Sequence, residues 1–175
     1  MNILIFAMLI TNRLRELLTI ADTKPPILLC IGTDRVTGDC FGPLVGTMLL
    51  NTHSADTYIY GTLDSPVTAL NLLQTVAFIK FKHPNRTILA IDSSLGKESD
   101  VGNIRVIADG IYPGAATGKN LPKVGDFSIT ATIAPLGKSS LLYGVRLGFV
   151  HSLAQKAAAA INRALKDFEV SVVNF

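Results

Sequence analysis

Five consecutive apolar residues, Ile27 to Ile31 in KPPILLCIG, run unbroken up to Gly32. A strand with one face in water alternates apolar and polar side chains, so an uninterrupted run of this length implies burial on both faces, as in a parallel sheet covered on each side. Such a strand constrains the next stretch of chain, because parallel neighbours must be joined by long crossovers that are usually helical.

The residues after Gly32 supply that alternation. PLVGTMLLNTH, from Pro43, has helical spacing at Leu44, Met48 and Leu49, with a proline where a first helical turn tolerates a missing donor. TYIYG reads as a short strand. SPVTALNLLQTVAFIKFKH reads as a helix with Ser65 as its cap, Pro66 at its first position, and Val67, Leu70, Leu73 and Ala77 on one face. TILAID, Thr87 to Asp92, is a third strand. NIRVIAD alternates as an edge strand does, and FSITATIA is a fifth strand.

Ser139 to Lys166 reads as one long helix with a stripe of Leu142, Val145, Phe149, Leu153, Ala157, Ile161 and Leu165. Gly144 and Gly148 lie on one face of it; glycine costs a helix about 1 kcal/mol, so a close neighbour is expected there. VSVVNF is read as a strand closing the sheet. Before the first strand, Ile3 to Ile10 continues into TNRLRELLTI as a helix that offers Leu4, Met8, Leu14, Leu17 and Leu18 to a core. The expected fold class is α/β, a mostly parallel twisted sheet with helices on both faces. Residues 1–175 are expected to form a single domain, with 1–24 as an N-terminal helix and linker.

Composition narrows the function. Hydrophobic residues are 49% and charged residues 17% of the 175, which suits a packed core and not a disordered chain. The net charge of +3 is scattered and the aromatics are 7% with no Trp, against the clustered basic, aromatic face of a nucleic-acid binder. No Lys or Arg precedes the apolar stretch at Ile3 to Ile10, no small-residue cleavage site comes after it, and eight residues fall short of the about 20 that span a bilayer. No membrane partner is therefore expected. Two cysteines, Cys30 and Cys40, are no disulfide framework for this length and point to the reducing cytoplasm.

Chemistry is expected where the strands end. In open parallel sheets ligands bind outside the carboxyl ends of the strands, where connections diverge. Asp39, in the CIGTDRVTGDCFGP loop after the first strand, and Asp92, at the end of TILAID, both fall there. Two neighbouring carboxylates can divide acid and base roles, one holding water and the other, kept protonated by its like-charged neighbour, donating a proton. Two other readings stay open. The pair can ligate a divalent metal that acidifies bound water, or each acid can simply cap local backbone donors. Asp34 has the character of a turn residue. The loop lacks the endings of a P-loop and of G-x-G-x-x-G, which excludes those phosphate cradles.

The segments GTDRVTGDCFGPLVG, YGTLDSPVTALNL, AIDSSLG, VGNI and GKNLPKVGDFSIT, taken in order, resemble the YyaC-type sporulation proteins. These are relatives of the germination protease of spore-forming bacteria and, more distantly, of the hydrogenase maturation endopeptidases. The resemblance implies a three-layer phosphorylase/hydrolase-like fold. It implies an endopeptidase-like hydrolase acting on a protein or peptide in the cytoplasm of a sporulating cell or in the spore core. It also implies that Asp39, in GDCFGP, and Asp92, in IDSSLG, are the essential acids, with no cofactor needed.

The hydrogenase maturation group carries a Glu at the first position and a later His; here the first acid is Asp39, and His53, His83 and His151 do not match. A divalent metal held by Asp39 and Asp92 would make the protein a metal-responsive maturation protease. A third alternative is a peptide-binding or regulatory module that does not cut. Asp126, with Lys119 and Lys123 in GKNLPKVG, is expected to form a lip that binds substrate over the cleft. Cys40 lacks a sequence-adjacent His to activate it as a nucleophile and reads as a buried thiol. The oligomeric state stays open, a homo-oligomer included.

Overall fold

The computed structural model describes residues 3–21, 24–50, 52, 57–114 and 121–173. Helix α1 (Ile3–Ala21) leads into β1 (Ile27–Cys30), a 3-10 turn (Thr37–Asp39) and α2 (Phe41–Leu50). Then come β2 (Ile59–Tyr60), α3 (Leu72–Lys82), β3 (Ile88–Gly96), a second 3-10 turn (Glu98–Asp100), β4 (Ile104–Ile107) and β5 (Phe127–Pro135). The chain ends in a short α4 (Leu141–Gly144) and a long α5 (Leu147–Val173).

The strands form one sheet in the order β2-β1-β3-β5-β4. All pairings are parallel except β4 with β5, which is antiparallel. The expected α/β class with a mostly parallel sheet is therefore the observed one. Strand periodicity divides the central side chains between two cores. Leu28, Cys30, Leu89, Ile91, Phe127 and Ile129 face α1, α2 and α5. Ile27, Leu29, Ile31, Ile88 and Ala90 face α3 through Leu72 and Ile79. All four β1 residues are fully buried, as the apolar run requires.

Several elements depart from the sequence reading. Ser65 to Asn71 is not helical, because Val67 bridges Ile31 in parallel and adds a step to the sheet. Helix α3 starts at Leu72, so Ser65 does not cap it and Pro66 is not its first residue. Its buried side is Leu72, Val76 and Ile79; Leu70 is 94% exposed, and Leu73 and Ala77 also face outward. The last helix breaks at Val145, whose extended backbone (φ −65°, ψ 138°) separates α4 from α5. A Cβ placed on Gly144 or Gly148 would meet nothing within 4 Å, so no close neighbour explains either glycine. The residues read as a closing strand continue α5 as far as Val173. In α1 the core takes Ile10, Leu14 and Leu18, while Met8 is exposed; the side chain of Leu4 lies outside the described residues.

Candidate active site

Strand β1 is followed by a crossover to β2 on one side, whereas β3 lies on the other. The crevice between the carboxyl ends of β1 and β3 is therefore the switch point of the sheet. Ladder pairing between the two strands ends at Cys30 and Ile91. Beyond it the chain peels away: the Thr33 N–H donates to the Asp39 carbonyl at 3.1 Å instead of reaching β3. Gly32 makes this departure with φ +140°, and a Cβ there would lie 2.1 Å from the Asp39 carbonyl oxygen. Gly42 lets α2 start directly on the end of β1, since a Cβ would sit 2.1 Å from the Ile31 carbonyl oxygen. The acidic, glycine-rich loop is thus folded back on its strand, with Asp39 held at the mouth of the crevice.

Strand β3 continues past the end of β1 and carries Asp92, Ser93 and Ser94 into the opening. Asp92 is 7% exposed and Asp39 is half-buried. The Ser93 N–H donates to Asp92 Oδ1 at 2.7 Å, and the Ser93 hydroxyl donates to Asp39 Oδ1 at 3.0 Å. Burial pushes the Asp92 carboxyl well above its ordinary value, the negative charge of Asp39 adds to the rise, and the Ser93 N–H opposes it. Within the pair, burial thus favours the protonated form of Asp92, the less accessible of the two acids.

These residues open into a cleft of about 840 Å³. Its walls are largely apolar, with Val36, Leu63, Pro66, Leu70, Leu142 and Tyr143 contributed by three different segments. Helix α4 seats against the 3-10 turn: a Cβ on Gly38 would lie 2.6 Å from a Leu142 methyl. Asp34 and Arg35 are exposed at the rim.

The structure brings Asp39 and Asp92 together and leaves Asp126 and Lys123 elsewhere. Asp126 lies at the opposite end of β3, where its N–H donates to the Ile88 carbonyl at 2.8 Å and its Oδ2 accepts from the Ile88 N–H at 2.7 Å. That clamp starts the β3–β5 pairing and does not face the cleft. Lys123 is paired with Asp109 at 2.6 Å, next to the antiparallel bridge of Ile111 and Val124, and does not line the cleft either. Lys119 lies outside the described residues. Among the described residues of this excursion, Pro113 and Gly114 line the cleft. Cys40 is buried, and burial with the charges of Asp34 and Asp39 pushes its thiol up, the opposite of nucleophile activation.

The side chains at the mouth of the crevice, Asp39, Asp92, Ser93 and Ser94, offer oxygen donors. Among the described residues no three His, Cys, Asp or Glu side chains cluster to hold an ion. His83 is hydrogen-bonded to the Tyr60 hydroxyl at 2.8 Å, His151 is exposed on α5, and His53 lies outside the described residues. Nickel-type chemistry favours nitrogen and sulfur ligands, which the oxygen donors around Asp39 and Asp92 do not provide.

The fold is shared with a solved maturation protease. The chain superposes on the [NiFe] hydrogenase maturation protease HycI from Thermococcus kodakarensis KOD1 with a TM-score of 0.53 and 18% identity, covering 86% of this chain and 99% of that one. At that identity the likeness concerns the fold. The chain itself belongs to the family described as "Protein of unknown function (DUF1256)", which matches residues 4–160. It is 36% identical over 141 residues to the uncharacterized protein YyaC of Bacillus subtilis (strain 168), covering 79% of this chain and 69% of that protein. The resemblance read from the sequence motifs is borne out on both counts.

Proposed function

We propose that this protein is an endopeptidase-like hydrolase in which Asp39 and Asp92 share one proton and activate water for attack on a peptide bond. The observation that carries the reading is the joining of two carboxylates through Ser93 at the switch-point cleft, with burial favouring the protonated form of Asp92. Asp39 then serves as the base. Its carboxylate takes a proton from water as the oxygen bonds to the peptide carbon, while Asp92 passes its proton to the carbonyl oxygen. In the second half, the tetrahedral carbon expels the amine, which takes the proton held by Asp39, and Asp92 recovers its own from the collapsing hydroxyl. The largely apolar walls suit an extended polypeptide with apolar side chains. The motif resemblance to YyaC-type sporulation proteins supports a sporulating or germinating cell as the setting, and the likeness to a maturation protease supports a protein substrate.

The test is proteolysis of small spore proteins and unfolded model proteins by the wild type, Asp39→Asn and Asp92→Asn proteins, each with and without chelator. Both variants are expected to lose cleavage by about 10²–10⁴-fold, the usual worth of a general acid or base, and chelator is expected to change nothing. Activity should decline as pH rises through the elevated Asp92 value and the acid loses its proton. Wild-type cleavage by either variant would remove the aspartate mechanism. Chelator-sensitive cleavage would substitute a metal, and tight peptide binding by a folded wild type that cuts nothing would make the protein a binding module.

A further inference from the structure

Ser93 touches both carboxylates through different atoms, and strand geometry is the reason one residue can do this. Successive side chains of a strand point to opposite faces. The Asp92 side chain therefore leaves β3 on the α3 side, in register with Ile88 and Ala90, while the Ser93 side chain leaves with Leu89 and Ile91 toward α2 and the 3-10 turn that ends in Asp39. Alternation alone would part Asp92 from Asp39. The departure of β1 also leaves the Ser93 N–H without a ladder acceptor, and buried backbone donors require one. The Asp92 carboxylate turns back and supplies it at 2.7 Å, while the hydroxyl reaches Asp39 Oδ1 at 3.0 Å from the other face.

We propose that Ser93 is a positioning residue that sorts the two carboxylates, its hydroxyl holding Asp39 as the hydrogen-bond acceptor and its backbone N–H tying Asp92 into the same unit. The inference rests on the aspartate-pair reading and adds to it an assignment of roles. A hydroxyl donating to a carboxylate favours the charged form, so it directs the shared proton away from Asp39, while the Ser93 N–H, which by the same rule favours ionised Asp92, is outweighed there by burial. Among the described residues the other titratable or charged groups lining this cleft are Asp34, Arg35 and Tyr143, with buried Cys40 beside Asp39 in sequence.

The experiment is an NMR titration of the aspartate side-chain carboxyl carbons in wild type, Ser93→Ala and Ser93→Thr, with Asp34→Asn as a control for the rim charge. Ser93→Ala is expected to move the Asp39 midpoint upward and narrow the gap between the two acids, and Ser93→Thr, which keeps the hydroxyl, is expected to restore both. With a cleaved substrate in hand, Ser93→Ala should lower kcat about tenfold at unchanged KM, the scale of one hydrogen bond to a charged group. Should the alanine protein fail to fold, Ser93→Cys supplies a weak donor of similar size for the same comparison. Carboxyl titrations in a folded variant that match the wild type would overturn the inference, even if the wild type proves to be a protease. A shifted Asp39 midpoint in a protein that cleaves nothing would sustain the role of Ser93 and end the peptidase reading instead.

Discussion

Asp92 shows how a single carboxyl can be set against stability. Its folded-state value is raised above that of the unfolded chain, so the folded state binds the proton more tightly. The stability this lends is complete below about pH 4, the ordinary carboxyl value, and is lost as pH rises through the elevated value. Asp92→Asn removes the ionisation while keeping an oxygen for the Ser93 N–H. Melting curves of the two proteins are expected to coincide near pH 4 and then separate. At pH 8 the Asn variant should be the more stable of the two, with the higher melting temperature. A difference that does not grow with pH would mean that the carboxyl is not held neutral. Asp39 and Asp92 were both legible from sequence, Asp39 because it lies in the loop after a strand-like run and Asp92 because TILAID reads as a strand ending there, although β3 runs on to Gly96 where it outlasts β1. Ser93 was legible only in outline: IDSS displays a hydroxyl after the acid, but nothing local says that it spans two faces of a sheet to reach a loop 54 positions away.

The elements that frame the cleft depend on close backbone approach more than on helix propensity. Helix α2 can begin against the end of β1 only because position 42 carries no side chain; a Cβ would overlap the Ile31 carbonyl. Gly42→Ala is therefore expected to cost about 1–3 kcal/mol, as overpacking does, read as a lower urea midpoint at unchanged slope. Gly148, in the first turn of α5, is the contrasting case. A methyl there meets nothing within 4 Å, and Gly148→Ala should stabilise by about 0.5–1 kcal/mol through reduced freedom of the unfolded chain. Equal effects at the two positions would refute the close-approach account. Both glycines look alike in the sequence. The misplaced start of α3 has a similar origin: SPVTAL carries helix-start chemistry, but Val67 gains more by joining the sheet beside Ile31.

Across the whole molecule, α1 is part of the main core and not an appendage to it. Ile10, Leu14 and Leu18 share one cluster with α2, α5 and the central strands, and Arg15 of α1 lies 3.6 Å from Asp167 of α5. Leu14, 1% exposed, should cost about 2–5 kcal/mol when replaced by alanine. Tryptic resistance of the α5 region and of the cleft loop should fall together with it. Loss confined to α1 would show that the helix folds apart from the rest. Among the described residues no helix is long and apolar enough to cross a membrane. Periodicity along the chain was enough to specify the α/β class, the order of most elements and the buried first strand, because these depend on local apolar spacing. Tertiary structure alone decided the rest: the union of Asp39, Ser93 and Asp92, the break at Val145 that seats Leu142 on Gly38, and the placement of Asp126 and Lys123 away from the cleft. Each of these is a contact between segments distant in sequence, and its energy belongs to partners that no local pattern names.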